Sequence, residues 1–391
     1  MKKILFIHYN FYHKDRWGRT FPLAKAASQC GLDVTLLTNS KKKGISVHSI
    51  EEDGVKILIY KDILPNLMIH KGFALTSLFL RIWHVLRHHY DYVYIDCGEG
   101  INTGWPGKIA QWKGSILISE WGDLLGKGGY YDHKPRIYKI LYGWYFLWAE
   151  LYFRKSANYT IVLSSMMKEH AIKRGIDEKR IKIVPGGASV DLVNNDYKSK
   201  KLLGLSDNII TLGYIGINKG ELLDLMPLIE VIRKNKNFKN RFKIITFGKT
   251  LSIDILEKYQ LNEIIINCGW LNFYEDYSLA QCVDIYILMK STYIKRNSMG
   301  WPNKLGDYMA LGRPVLLNLY GDIANFVSQH PNGFITIKLS EHDIEEQLQN
   351  ILNNKFNLKN MGVSNRKVAE NEISWKCRME KLLSEINGLD S

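Results

Sequence analysis

Pairable cysteine is the first thing this sequence lacks. Its 391 residues include five cysteines, Cys30, Cys97, Cys268, Cys282 and Cys377, an odd number, scattered, and never spaced as C-x-x-C. That distribution excludes a disulfide framework and a structural zinc site. Long apolar runs are missing too, for no uninterrupted segment approaches the roughly 20 residues that a bilayer-spanning helix needs. The opening MKKILFIHYN has two lysines and then an apolar run, but the run stops at His8-Tyr9-Asn10 and no small-residue cleavage site follows, so it does not read as a leader. These absences predict a reducing, cytoplasmic setting. There is no repeat of fixed period and no low-complexity tract. Zinc-finger spacing and an aromatic RNP-type signature are also absent, which sets nucleic acid aside as a partner.

What is present is the balance of a soluble globular protein, 46% apolar and 24% charged, long enough for roughly two or three domains. Lysine and arginine number 53 against 39 acids, a net charge of +14, which favours an anionic partner. With nucleic acid set aside, anionic lipid and phosphorylated small molecules are left. The one dense basic run is Lys41, Lys42 and Lys43.

Short β-branched runs alternate with helix-length segments throughout. KILFIHY, DVTLLT, VKILIY, DYVYID, SILIS, YTIVLS and IKIV precede Pro185-Gly186-Gly187, and IITLGYIG, FKIITFG, EIIINCG, DIYILM, PVLLNL and GFITI follow it. Two such series predict two doubly wound, mainly parallel sheets. The boundary is expected in VPGGASVDLVNNDYKSKKLLGLSDN, and ENEISWKCRMEKLLSEI reads as one amphipathic helix.

The segment NSMGWPNKLGDYMALGRPVLLN, Asn297 to Asn318, sets helix start and stop signals close together. Proline suits a first helical position, and glycine followed by proline ends a helix. The pattern predicts a helix of about three turns from Pro302 to Leu311. Its front end carries unpaired N–H groups and a partial positive charge. Lys304 in the first turn is unfavourable against that dipole unless an anion balances both. Asp307, three residues on and on nearly the same face, can accept hydrogen bonds from two hydroxyls such as those of a ribose. The same spacing describes an ordinary surface ion pair, and the residues alone leave both readings open.

GWPNKLGDYMALGRPVL resembles the G-x-P-x-K-L-x-E-Y-M-A-x-G-x-P-V segment of retaining, nucleotide-sugar-dependent glycosyltransferases with the GT-B fold, in particular those of glycosyltransferase family 4. FPLAKAASQCGLDVTLLT, IVLSSMMKEHAIKRGIDEKRIKIVPGGASVD, LGYIGINKGELLDLMPLI and NCGWLNFYEDYSLAQCVDIYILM resemble further segments of that family, in its order. The resemblance implies an α/β protein of GT-B type, with two doubly wound Rossmann-like domains facing an interdomain cleft. The acceptor-binding domain would cover 1–190 and the nucleotide-sugar-binding domain 191–370, with a C-terminal helix in 371–391 packing back on the first. It implies that Lys304 contacts the donor diphosphate and Asp307 the ribose. Lys219 in GINKG would be a second cation, with Asn218 beside it and Gly216 allowing close approach, while Gly300 and Asn303 would flank the donor. Two lysines and a helix N-terminus can stabilise a departing nucleoside diphosphate without a metal, so neither metal nor cofactor is expected. The family has two glutamates separated by seven residues; here Met299 stands at the first position and Asp307 at the second.

In the amino-terminal half, SILISEWGDLLGKGGYYDHKP resembles an acidic stretch of bacterial members. That likeness makes Asp123, and after it Glu120, candidates for orienting the acceptor hydroxyl, although a capping acid after a strand reads the same way. The loop YNFYHKDRWGRT matches a glycine-containing loop near donor and acceptor, with Gly18 for backbone freedom and Arg16 and Arg19 for an acceptor phosphate. DCGEGINTG sets Glu99 and Asn102 after another strand, to meet the acceptor or to cap the next helix. RIYKILYGWYFLWAELYFRKS reads as an interfacial helix on anionic lipid or, being apolar nearly all round, as a buried one, and burial fits it better. LPNLMIHKGFALTSLFLRIWHVLRHH is ambiguous in the same way, its basic end favouring a surface. The expectation is a metal-independent, hexosyltransferase-type enzyme, cytoplasmic or peripheral on the inner face of the membrane. It would move a sugar from a UDP- or GDP-linked donor to a glycan or lipid-linked saccharide with retention, in bacterial-type surface polysaccharide or glycoconjugate assembly. The alternative is a glycosyltransferase-like binding or partner subunit that has lost catalysis, motivated by Met299.

Overall fold

The computed structural model describes residues 1–12, 18–273, 276–291 and 299–387, without the side chains of Tyr130, Lys219 and Ile253. The chain divides into two units: Met1–Pro185 with Met299–Trp301 and Trp375–Ser391, and Gly186–Ser298 with Pro302–Ser374.

The strands of the first unit are β1 (Lys3–Phe11), β2 (Asp33–Lys43), β3 (Val47–Glu52), β4 (Val55–Asp62), β5 (Tyr92–Ile95), β6 (Ile116–Trp121), β7 (Tyr159–Val162) and β8 (Ile181–Ile183). They form one sheet in the order β3-β4-β2-β1-β5-β6-β7-β8, in which only β3 runs antiparallel to its neighbour. Ile4 to Ile7 of β1 and all of β5 are buried, the continuous burial of strands covered on both faces. Helices α1 (Thr20–Gln29), α2 (Asn66–His70), α3 (Leu75–Arg87), α4 (Ile101–Trp112), α5 (Arg136–Leu141), α6 (Gly143–Ser156) and α7 (Ser165–Lys173) connect them, and the last helix, Trp375–Asn387, packs against α1. Burial describes the aromatic segment only in part. No residue of α5 is buried, and α6 buries only Gly143, Ala149, Glu150, Phe153 and Arg154. One stripe of α6 packs inward, so that Arg154 reaches Glu99, Tyr145 and Tyr152 pack partly against the core, and Trp144 and Trp148 stay exposed.

The second unit holds β9 (Ile210–Ile217), β10 (Phe242–Gly248), β11 (Ile265–Asn267), β12 (Ile285–Leu288), β13 (Val315–Leu317) and β14 (Phe334–Thr336). These form an all-parallel sheet in the order β11-β10-β9-β12-β13-β14. Helix α8 (Lys219–Lys234) follows β9. The division between units falls at Pro185–Gly186 because the next residues are tied to the second unit. Ala188 N–H donates to the Ile373 carbonyl at 2.8 Å, and Arg366 donates to the carbonyls of Val190 at 2.9 Å and Val193 at 2.7 Å.

The helix foreseen from Pro302 to Leu311 is shorter, Lys304–Ala310. The carbonyls of Pro302 and Asn303 accept from Leu305 and Gly306 N–H, each at 3.0 Å, so a tighter i to i+3 turn occupies the start. At its end Gly312 has φ +64°, its N–H donates to the Met309 carbonyl at 3.0 Å, and Arg313 N–H reaches the Tyr308 carbonyl at 3.3 Å. That pair of bonds is a Schellman stop, which favours glycine.

Candidate functional site

In the second unit the strand order reverses between β9 and β12, and ligands of open α/β sheets bind beyond the carboxyl ends at such a point. Three local devices place charged groups there. Gly216, one residue before the end of β9, has φ +78°, a left-handed conformation favouring glycine. Asn218 caps α8, its side-chain oxygen accepting from Gly220 N–H at 2.8 Å and Glu221 N–H at 3.2 Å. The Lys304 helix is fixed to the sheet by Tyr308, whose ring stacks on Tyr286 at 4.2 Å and whose hydroxyl accepts from Ile215 N–H at 3.1 Å. One turn before Tyr308, Lys304 is thereby carried to the edge of β9.

Lys304 Nζ donates to the Tyr214 hydroxyl at 2.9 Å, lies over the Tyr214 ring at 4.1 Å and sits 3.6 Å from Glu221. Glu221 is also 3.8 Å from Lys290, which in turn donates to Asp224 at 3.0 Å. The Lys304 side chain is only 17% exposed. Burial, helped by Lys290, lowers its pKa to about 8 against the pull of Glu221. Asp307, half-buried, is pushed up to about 7 by desolvation, with Lys304 opposing. A surface pair between Lys304 and Asp307 therefore does not describe this helix, since Lys304 points inward and its ion pair is with Glu221. Glu221 Oε2 and the Tyr320 hydroxyl are buried with no hydrogen-bond partner, and orphaned polar atoms beside buried charges are unusual. A cavity of about 510 Å³, lined in part by Asp224, Ser291, Asn318 and Lys338, adjoins the cluster through Asp224.

Of the other expected donor residues, Asn303 is exposed at the N-cap of the Lys304 helix. Lys219 begins α8, but its side chain lies outside the described residues. Gly300 belongs to the first unit, with open space where a Cβ would stand. Its neighbour Met299 packs in an apolar cluster with Trp121, Leu124, Val162 and Met167, and the Met299 carbonyl accepts from the Ser164 hydroxyl at 2.5 Å.

In the first unit the reversal lies between β1 and β5, and the expected acceptor residues follow those strands and β6. Arg16 lies outside the described residues, and Gly18 has φ +53°. Glu120 is buried and committed to the fold, accepting from Arg19 Nε at 3.1 Å and from the Tyr94 hydroxyl. Glu99 is equally committed, paired with Arg154 at 2.7 Å and accepting from the Cys97 thiol at 3.1 Å. Burial, with Glu99 beside it, pushes that thiol well up. Asn102 is buried in the first turn of α4, its carbonyl accepting from Arg81 at 2.8 Å, while Gly100 occupies the N-cap. Asp123 is exposed. After burial, the charges of Cys97, Asp96, Asp123 and Glu99 raise the Tyr9 hydroxyl, which marks an acidic neighbourhood around Tyr9. Among the described residues, no group of three or more His, Cys, Asp or Glu side chains is placed to hold a metal ion.

Tyr214, Glu221, Lys290 and Asp224 escaped the sequence reading. Tyr214 lies within a strand run and Lys290 at the end of one, so only the fold brings them to Lys304.

No family model matches the chain. An uncharacterized glycosyltransferase of Methanocaldococcus jannaschii is 22% identical over 229 residues, 57% of this chain and 56% of that protein, so the chain spans about half the length of the curated relative it matches. Solved structures match along the whole chain. Sucrose-phosphate synthase from Thermosynechococcus elongatus superposes with a TM-score of 0.73 at 13% identity, covering 100% of this chain and 99% of its own. Anabaena HepE in complex with UDP and glucose gives 0.69 at 14%, covering 99% and 100%. WaaG, a glycosyltransferase involved in lipopolysaccharide biosynthesis, gives 0.67 at 13%, covering 98% and 100%. The chain therefore has the fold of the GT-B glycosyltransferases, two parallel α/β sheets within one full-length match.

Proposed function

We propose that this protein is a retaining glycosyltransferase that moves a sugar from a nucleotide-sugar donor to a glycan or lipid-linked saccharide. The observation that carries the reading is Lys304, a largely buried ammonium whose charge the unliganded protein disfavours, set at the strand-order reversal beside Gly216 and Glu221. A dianionic diphosphate would complete the compensation that Glu221, 3.6 Å away, gives Lys304 only in part. The bond from the anomeric carbon to the diphosphate oxygen breaks and a bond from that carbon to the acceptor oxygen forms. The acceptor proton passes to the departing phosphate oxygen. Lys304 and Lys219 neutralise the leaving group, Asp307 holds the ribose hydroxyls, and Asp123 orients the acceptor. HepE was solved with UDP-glucose, which favours a uridine donor, and WaaG acts in lipopolysaccharide synthesis, which favours a surface-glycan acceptor made at the cytoplasmic side. No metal enters this scheme, so transfer should survive a chelator.

The test is a thermal-shift panel of UDP, GDP, ADP, CMP and their common sugar conjugates, run with chelator. A ligand at 100 times its dissociation constant adds about 2.7 kcal/mol of stability, and one base should stand out. Silence across the panel would remove the donor site. Met299 favours a second reading, because a core methionine stands where a glutamate is expected. A binding subunit of that kind would take up nucleotide and turn over no donor with any acceptor.

A further inference from the structure

Helix α3 turns an arginine inward and aromatic side chains outward. It buries Ser77, Arg81 and Val85, and Arg81 donates to the His8 carbonyl at 3.0 Å, the Asn102 carbonyl at 2.8 Å and Asn39 Oδ1 at 2.9 Å. Residues four apart share a helix face, so Leu75, Phe79 and Trp83 form the opposite stripe, with 45%, 68% and 55% of their surfaces exposed. A surface helix facing only water would turn these side chains inward and the arginine outward.

The same unit carries a second surface of this kind. Ile137, Ile140 and Leu141 of α5 are exposed, and on α6 Trp144 is 70% exposed. The two surfaces adjoin. Phe73, just before α3, packs on Tyr142 at 5.3 Å, and Lys71 Nζ lies over the Tyr138 ring at 5.8 Å. Exposed Ile63 and Leu67 extend the face past α2, where Asn66 donates to the Lys41 carbonyl at 3.3 Å and brings the exposed Lys41–Lys43 run alongside. The carboxylate on α2, α3, α5 and α6 is Glu150 alone, and it is buried. Exposed charge on these helices is therefore basic, including Arg87 against the Trp83 ring at 4.0 Å and Arg136 beside Ile137.

We propose that this face lies on an anionic lipid bilayer, its aromatic and aliphatic side chains at headgroup depth and its lysines and arginines against the lipid charge. The charge complementarity selects the occupant, because apolar anchors on helices whose exposed charges are basic match an anionic interface, and the exposed Asp132 before α5 is one carboxylate set against several lysines and arginines. No helix among the described residues is long and apolar enough to cross a membrane, so the contact is peripheral. The inference stands whatever nucleotide the second unit binds.

The experiment is co-sedimentation of the full chain with vesicles of phosphatidylglycerol and phosphatidylcholine, and with phosphatidylcholine alone. Wild type and the double variants Phe79→Ser/Trp83→Ser and Ile140→Ser/Trp144→Ser are compared. Circular dichroism and gel filtration check each variant, whose changed side chains are already exposed. Each double variant should lose more than about tenfold in partitioning to anionic vesicles, and wild type should bind neutral vesicles more weakly by a similar factor. Three outcomes would overturn the proposal: wild type left in the supernatant at low salt, unchanged binding in both double variants, or vesicle-blind protein that self-associates through Phe79 and Trp83.

Discussion

Replacing Lys304 by methionine tests whether its charge is held for the fold or for a ligand. Its pKa falls from 10.5 to about 8, chiefly through burial. At about 1.4 kcal/mol per tenfold, keeping the ammonium charged inside costs the unliganded protein about 3 kcal/mol. The folded value lies below the unfolded one, so the cost is full below pH 8, shrinks between 8 and 10.5, and is absent above. Methionine keeps the stem against the Tyr214 ring and leaves Glu221 with Lys290, 3.8 Å away. It loses the hydrogen bond to Tyr214, a net contribution of about 1 kcal/mol. Lys304→Met should therefore raise unliganded stability at pH 7 by about 1 to 2 kcal/mol, and its advantage over wild type should vanish as pH approaches 10.5. The same variant should lose about 1.5 to 3 kcal/mol of affinity for the nucleoside diphosphate. Scanning calorimetry at pH 7 and 10 reads the first effect and isothermal titration with UDP, or whichever base the panel selects, reads the second. A variant less stable than wild type at pH 7, or one that binds the nucleotide as tightly, would refute the reasoning.

Asp307 titrates in the opposite sense. Its pKa is raised from 3.8 to about 7 by burial, so the stability it contributes is present below pH 4 and is lost as pH rises through 7. Asp307→Asn should match wild type near pH 4 and exceed it at pH 8 by at most about 4 kcal/mol in calorimetry, while binding nucleotide more weakly at pH 8. Asp123→Asn should leave nucleotide affinity intact and slow transfer by about 10²-fold or more; undiminished turnover in a radiolabelled-donor assay would remove Asp123 from the mechanism. Arg154→Leu would leave Glu99 buried without its 2.7 Å partner and should destabilise the first unit by about 3 to 5 kcal/mol, seen as a lower calorimetric transition with nucleotide binding retained.

The fold was legible because alternation of β-branched runs with helix-length segments is a local property, and buried parallel strands such as YVYI announce themselves. The helix that carries Lys304 and Asp307 was legible from Pro302 and Gly312, which punctuate it. The roles of acids after strands were not. Glu99, Glu120 and Asp123 occupy similar positions in the sequence, yet two of them are locked by Arg154 and Arg19, residues 55 and 101 positions away. No spacing rule reaches that far. The aromatic segment 136–156 misled for a related reason. Periodicity counts apolar residues, but whether a neighbour covers them depends on packing, and here an inward arginine shares a helix with outward tryptophans.

On the proposed reading, arginine and lysine divide the work between charge that holds the fold and charge that would meet the donor. Apart from Lys108 of α4, the cations of Lys or Arg type that the first unit buries among the described residues are arginines: Arg19 on Glu120, Arg154 on Glu99, and Arg81 on three oxygens. A guanidinium cannot shed its proton, and its planar fork fixes several acceptors at once, which suits permanent structure. At the strand-order reversal of the second unit the cations are lysines, Lys304 and Lys290, spread over Glu221 and Asp224 with one carboxylate oxygen unmatched. An ammonium there can lower its pKa when the site is empty and regain its full charge when an anion arrives. Lys304→Arg would remove that adjustment, holding a fixed charge in the same desolvated place. It should destabilise the unliganded second unit in the calorimeter even though the formal charge is unchanged.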